Sequence, residues 1–262
     1  MPSNAYHPLV IERAWDTTPR ARVAQFRVPE HLRQTFTHRA GQYVMLRVEL
    51  DGVWQEHAFS LCSSPEAGQP LTIAVKRTDT SRSAPLIQSL LQPGTGILVS
   101  PPQGSFTIDL HPESSRRVAL FAAGSGITPL LAIATSVLVS EPLSTIELFY
   151  ANVSAADTMF ADELRRLHGE HGERLRVVVL LEEGAGGVLA DFAEVRTGRL
   201  VAADVMEAVE RHRNSSETTD YALCGPPGFL EMVNAALGII AVPAQHIHIE
   251  SFSSTPRPTP TP

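Results

Sequence analysis

The sequence predicts two consecutive domains, an antiparallel β barrel followed by a parallel-sheet α/β domain. Three observations carry this prediction. From Pro8 to about Pro101 the apolar segments are short, rich in β-formers and bounded by turns. After a polar stretch from His111 to Arg117, which suits a linker, apolar strands and helices alternate in the manner of βαβ units. Two glycine turns, at Gly124-Ser125-Gly126 and at Gly225, each follow a short buried strand. A chain of 262 residues accommodates two domains, placed here at 1–112 and 113–252. The tail 253–262 is rich in Pro, Thr and Ser, has little apolar surface to bury, and is expected to be disordered or a linker.

In the first half, segments 9–12, 22–28, 43–50, 57–61, 71–76 and 96–100 read as strands, and five or six such strands with little helix imply a small closed barrel. Segment 85–91 has helical spacing and stops at Pro93-Gly94, a single short helix between two strands. In the second half, 118–123, 145–150, 175–181, 221–224 and 247–250 read as strands. Helices are expected over 130–139, 159–168, about 202–212 and 228–237.

Composition excludes several functions. The net charge is −7 and Lys and Arg are scattered, so no basic stripe is offered to nucleic acid. No apolar run approaches the ~20 residues that span a bilayer, and the first residues lack the basic flank and apolar stretch of a signal peptide. A cytoplasmic protein with no membrane partner is the expectation. Cys62 and Cys224 are the only cysteines, too few for a disulfide framework or for an iron–sulfur cluster held by about four thiolates. The histidines show no metal-ligand spacing; His246 and His248 alternate on a strand and are assigned to its solvent face. Asp162 and Glu163 open a helix and are assigned to its dipole.

The strongest local signal for chemistry is Gly124-Ser125-Gly126-Ile127-Thr128-Pro129, between a buried strand and an apolar helix. Such a turn lets backbone approach a pyrophosphate and aims helix N–H groups at its charge, although a bare structural turn has the same appearance. Pro129 stands where the dinucleotide fingerprint has its third glycine. Cys224-Gly225-Pro226 forms a second such turn, and two of them in one sheet imply a shared crevice at its carboxyl edge. Cys224 itself reads equally as a small core residue or a reactive one.

Gly41-Gln-Tyr-Val, His57-Ala-Phe-Ser-Leu-Cys-Ser-Ser-Pro, Val75-Lys-Arg, Pro101-Pro-Gln-Gly-Ser-Phe, the Gly124 turn, Phe160-Ala-Asp-Glu-Leu, Cys224-Gly-Pro and Glu250-Ser-Phe follow one another in this order. In order and spacing the chain resembles the ferredoxin–NADP reductase superfamily over residues 8–252, in particular the reductase components of oxygenases acting on 3-ketosteroids and phenylacetyl-CoA. In those relatives a [2Fe–2S] domain usually follows; here the linker-like tail does. The resemblance implies a flavin-binding barrel and a nicotinamide-binding α/β domain, with FAD and either NADH or NADPH as cofactors. His57, Ala58, Phe59 and Ser60 would match the family's Arg-x-Tyr-Ser segment, with the aromatic along the flavin ring and the Ser60 hydroxyl toward N5. Val75 and Lys76 would border the ribityl and phosphate, and Ser81, Arg82, Ser83 and Ala84 would open a phosphate-binding helix. Gly124, Ser125, Gly126, Thr128 and Pro129, with Asn152, Gly225 and Pro226, would receive the nicotinamide dinucleotide. Cys224 would lie beside nicotinamide C4, and Glu250 with Phe252 would close the flavin edge. Ser60, Cys224 and Glu250 are thus the implied catalytic residues, and hydride would pass from C4 to N5 before electrons leave singly.

Four positions depart from the family pattern: His57 for arginine, Phe59 for tyrosine, Ser81 for glycine and Ala84 for serine. Losing an arginine contact predicts looser flavin binding, which Lys76, Arg82 or a protonated His57 would partly restore; His57 reads alternatively as a strand cap at the surface. Val153 follows Asn152 where relatives commonly carry arginine, which favours NADH. The implied function is an NAD(P)H-dependent flavin oxidoreductase serving a separate ferredoxin or oxygenase. Two alternatives stand beside it: a flavoenzyme acting directly on a small organic substrate, and a non-redox module whose flavin site has degenerated.

Overall fold

The computed structural model describes residues 6–50, 52–79, 81–211, 218–252 and 257–258. The first half is an antiparallel sheet of β1 (His7–Thr18), β2 (Ala21–Arg27), β3 (Tyr43–Leu50), β4 (Val53–Ser60), β5 (Thr72–Lys76) and β6 (Gly96–Val99), ordered β4-β3-β6-β1-β2-β5. The sheet closes where Leu61, just past β4, bridges Ile73 and the Cys62 N–H donates to the Thr72 carbonyl at 3.0 Å. Alternation dictates the interior: Val44, Leu46, Val48 and Leu50 of β3 are buried, with Glu49 exposed between them. Helix α1 (Ser83–Leu90) lays Ala84 and Ile87 against this core. The Gln88 Nε2 donates to the carbonyls of Val75 at 2.6 Å and Arg20 at 3.0 Å, pinning the helix to the barrel.

The second half is a parallel sheet of β7 (Arg117–Ala123), β8 (Thr145–Asn152), β9 (Leu175–Leu181), β10 (Glu194–Thr197), β11 (Thr219–Cys224) and β12 (Ile247–Glu250), ordered β10-β9-β8-β7-β11-β12. Helices α2 (Ile127–Ser140), α3 (Ala161–His171), α4 (Ala202–Glu210) and α5 (Pro227–Ile239) connect the strands. Helix α2 is buried on nearly every side because it lies between the sheet and the barrel, sharing one core with Val23, Cys62 and Ala74. From β7 the chain winds out through β8, β9 and β10, then returns to β11 on the other side of β7. The reversal makes the carboxyl ends of β7 and β11 the switch point at which open α/β sheets bind ligands.

Several expectations are corrected. Helix α2 begins at Ile127 rather than 130, with Pro129 in its first turn, where a missing N–H costs nothing. Helix α3 begins at Ala161, because Phe160 takes a left-handed conformation at φ 60° and donates its N–H to Thr17 Oγ1 of β1 at 2.7 Å. Strand β10 is short and polar and carried no apolar signal. His246 lies in a 3₁₀ turn before β12, with its Nδ1 2.8 Å from Asp220 Oδ1, so it is not a solvent-facing strand residue. The polar stretch ending at Arg117 is anchored rather than loose: Arg116 pairs with Glu141 at 2.6 Å and Asp220 at 2.8 Å, and Arg117 is buried in β7. The expected end of the fourth helix, His212, lies outside the described residues. Of the tail, Arg257–Pro258 forms β13, paired antiparallel with Glu56 and Gln55 of β4, and the rest lies outside the described residues. Among the described residues no helix is long and apolar enough to cross a membrane.

Candidate functional site

The two glycine turns meet. A Cβ on Gly126 would lie 2.0 Å from the Cys224 carbonyl oxygen, so only glycine lets the start of α2 touch the end of β11. A Cβ on Gly225 would press on the Phe229 ring at 2.8 Å and on the Ala123 Cβ at 3.0 Å, so this turn is locked on the other one. Gly124 has φ +53°, and its missing side chain opens toward Lys76 Nζ, 3.8 Å from the would-be Cβ. Tyr150 fixes this turn from below: its hydroxyl donates to the Gly124 carbonyl at 3.2 Å and accepts the Met159 N–H at 3.2 Å. Thr128 Oγ1 donates to the Ser125 carbonyl at 2.9 Å. Asn152, at the carboxyl end of β8, is 5% exposed, and both polar atoms of its amide lack a hydrogen-bond partner. The Tyr150 hydroxyl beside it is already engaged with Gly124 and Met159, and a buried amide left short of partners is costly unless a ligand supplies them. Gly124–Pro129, Asn152 and Cys224–Pro226 therefore share one edge of one sheet and fit a dinucleotide.

Lys76 joins this edge to the barrel. From the end of β5 its Nζ donates to the Asp157 carbonyl at 3.2 Å, and burial lowers its pKa. On β4, His57 pairs with Leu46 and Phe59 with Val44, so both side chains share the face that β3 turns into the barrel, while Ala58 and Ser60 share the other with Met45 and Tyr43. The Leu46 and Val44 face is the one against which α1 packs Ala84 and Ile87. His57 Nε2 is buried without a partner, and burial pushes the imidazole pKa down. That orphan contradicts the reading of His57 as a solvated strand cap, because a surface cap would find water. Ser81 Oγ accepts the Ala84 N–H at 3.2 Å and caps α1, leaving Arg82 exposed beside it. Ser81, Arg82 and Ser83 at the start of α1 offer donors that fit a phosphate, and the enclosed Nε2 of His57 is a further donor without a partner.

Cys224 is fully buried, and burial raises its thiol pKa, with the Glu250 charge adding to the effect. Glu250 is its register partner on β12, and burial raises that carboxyl as well. Phe252 is 40% exposed just past the end of β12. Val75 is buried, with its carbonyl held by Gln88. Two cavities lie elsewhere, along the seam between barrel and sheet. One of about 320 Å³ is lined by Arg39, Glu66, Asp109 and Ser136, and one of about 160 Å³ by Trp15, Cys62, Phe160 and Glu163. Glu163 faces that second cavity half-buried, with burial raising its pKa, whereas Asp162 pairs with Arg165 at 2.5 Å on the surface. Sequence reasoning overlooked Tyr150 and the contact of Lys76 with Asp157. The only trace of Tyr150 was a phenol hydroxyl at the apolar end of strand β8, which needs a buried partner.

The family model for the oxidoreductase NAD-binding domain matches residues 120–235. A component of the 1,2-phenylacetyl-CoA epoxidase of Escherichia coli is 27% identical over 95% of this chain and 68% of its own. The ferredoxin reductase component of 3-ketosteroid-9-alpha-monooxygenase from Rhodococcus rhodochrous is 33% identical over 94% of this chain and 63% of its own. The chain thus spans about two thirds of the length of these relatives. A ferredoxin NADP+ reductase from Neisseria gonorrhoeae, solved with FAD and NADP, superposes with a TM-score of 0.75 at 18% identity, covering 94% of this chain and 98% of its own. The cytochrome P450 reductase GcoB of Amycolatopsis gives 0.76 at 22% identity, covering 97% and 72%. Residues 120–235 of the chain thus match an oxidoreductase NAD-binding domain, and the antiparallel barrel with the parallel sheet behind it has the fold of these two solved reductases.

Proposed function

We propose that this chain takes electrons from a reduced nicotinamide dinucleotide onto FAD and delivers them to a separate ferredoxin or oxygenase. Residues 1–112 form the FAD domain in this reading and residues 113–252 the nucleotide domain. The observation that supports it most is the junction of the two glycine turns at the switch point, with Lys76 of the barrel reaching the Asp157 carbonyl beside that edge. FAD, when bound, supplies the conversion of a two-electron donor into single-electron transfers.

The chain's own residues bind, orient and exclude water. His57, Ser81, Arg82 and Ser83 hold the flavin phosphates, and Phe59 lies along the barrel side of the cleft. Ser60, 7% exposed at the end of β4, directs its hydroxyl to the reacting edge. Cys224 keeps a protonated, uncharged thiol against the nicotinamide, since a thiolate there would be desolvated. Glu250 and Phe252 cover the far side.

Ser60→Ala is expected to slow flavin reduction by NADH about tenfold in stopped-flow, the effect of one lost hydrogen bond. An unchanged rate would remove Ser60 from the site. His57 supplies a second test. In the free chain burial holds its pKa below the ordinary value, so the ring is neutral at pH 7. A phosphate beside Nε2 raises that pKa, so His57 takes up a proton on binding and FAD affinity increases as pH falls through the window between the two values. His57→Arg should abolish this dependence and tighten FAD binding at pH 8 about ten- to a hundredfold. Equal FAD affinity for the two proteins at both pH 6 and pH 8 would show that His57 does not touch the phosphates.

A further inference from the structure

We propose that an acidic edge around the end of β8 makes this chain selective for NADH over NADPH; the proposal rests on the reading of the crevice as a nucleotide site. In a βαβ unit whose glycine turn receives the pyrophosphate, the adenosine ribose lies past the carboxyl end of the second strand, where an acidic residue accepts from the 2′-hydroxyl or an arginine meets a 2′-phosphate. The unit here is β7–α2–β8, so Val153, Ser154 and whatever borders them face the ribose.

Val153 is 49% exposed and offers no charge. Its neighbours are carboxylates. Beyond the end of β9 the ladder continues, with the Glu182 N–H donating to the Asn152 carbonyl at 3.1 Å and the Glu183 N–H to the Val153 carbonyl at 2.8 Å. This pairing fixes both glutamates alongside Val153. On the other side, Ser154 Oγ donates to Asp157 Oδ2 at 2.9 Å. The cation just past the neighbouring strand β10, Arg199, is committed to Glu182 at 2.8 Å, and Glu183 is exposed with no cationic partner among the described residues.

A phosphate monoester carries about −1.5 to −2 at pH 7 and would enter beside Glu183 and the Arg199-paired Glu182, with Asp157 already facing Lys76 and no unpaired guanidinium at this edge among the described residues. A ribose hydroxyl is a donor, and Glu183 is an exposed acceptor placed to take its hydrogen bond. Selectivity therefore has both an attractive and a repulsive part.

The test is calorimetric titration of the full chain with adenosine 5′-monophosphate and with adenosine 2′,5′-bisphosphate, which needs no electron transfer. The unaltered chain should bind the monophosphate at least about tenfold more tightly. Glu182→Gln removes one negative charge and frees Arg199, so it should shift the ratio about tenfold toward the bisphosphate; Glu183→Gln, at an exposed position, should shift it the same way. Tighter binding of the bisphosphate by the unaltered chain, or an unmoved ratio in both variants, would overturn the selectivity while leaving the crevice as a nucleotide site. Binding of neither nucleotide would overturn the crevice reading itself and this proposal with it.

Discussion

Gly126→Val is expected to weaken nicotinamide dinucleotide binding by at least about a hundredfold while FAD stays bound at one per chain. The reason is backbone against backbone. An added Cβ at Gly126 would sit 2.0 Å from the Cys224 carbonyl oxygen and 2.5 Å from its carbon, and neither atom belongs to a side chain that can swing away. The start of α2 and the Cys224–Gly225 turn must separate, which moves both the Gly124 turn and Cys224 from their common edge. The β4–α1 end of the barrel shares no backbone with that junction, so flavin occupancy is the internal control. Unaltered nucleotide affinity, measured by calorimetry on the variant, would contradict the crevice as drawn.

Glu141→Gln should cost about 3–5 kcal/mol of stability, toward the lower figure because Asp220 keeps Arg116 partly paired. The Glu141 side chain is fully enclosed and accepts from Arg116, from Ser144 Oγ at 2.7 Å and from the His111 N–H at 3.1 Å. Burial alone would raise its pKa, but these hydrogen bonds outweigh it and hold the carboxyl below the ordinary value. A depressed carboxylate contributes stability that is complete above its unfolded pKa and is lost as pH falls through the folded one. Urea melts of the two proteins should therefore differ most near neutral pH and converge in acid. A constant difference down to the acid limit would show that charge at Glu141 is not what stabilises the joint. The cluster grips the segment entering β7, at the edge of the sheet away from the crevice, so nucleotide affinity should not change.

What the sequence reveals follows the range over which each signal acts. The six barrel strands were legible because alternation is local, and Val44, Leu46 and Val48 turn inward as their spacing demands. The glycine turns were legible as turns because Gly124 and Gly126 interrupt an apolar run. Their mutual contact was not, since the Cys224 carbonyl that meets Gly126 arrives about a hundred residues later. The same limit hid the joint at Arg116, whose partners Glu141 and Asp220 come from two other elements and left a polar stretch that read as linker. Strand β10, Glu194–Thr197, is an edge strand with charged residues and has no periodicity to find. Phe160 was visible as part of a motif, yet its left-handed backbone depends on Thr17 in the barrel. The orphaned Nε2 of His57 is likewise invisible in the sequence: the residue departs from the family's arginine, and on a half-buried strand position its ring nitrogen is enclosed without a partner.

The proposed function requires that this chain bind flavin in its barrel and accept electrons from a nicotinamide dinucleotide. An absorption spectrum of the purified chain, supplied with FAD, freed of excess and then mixed anaerobically with NADH, tests it directly. Visible flavin bands that survive removal of free FAD and bleach on NADH are the expected result. A protein that stays colourless, or whose flavin bands are untouched by NADH and NADPH alike, would contradict it.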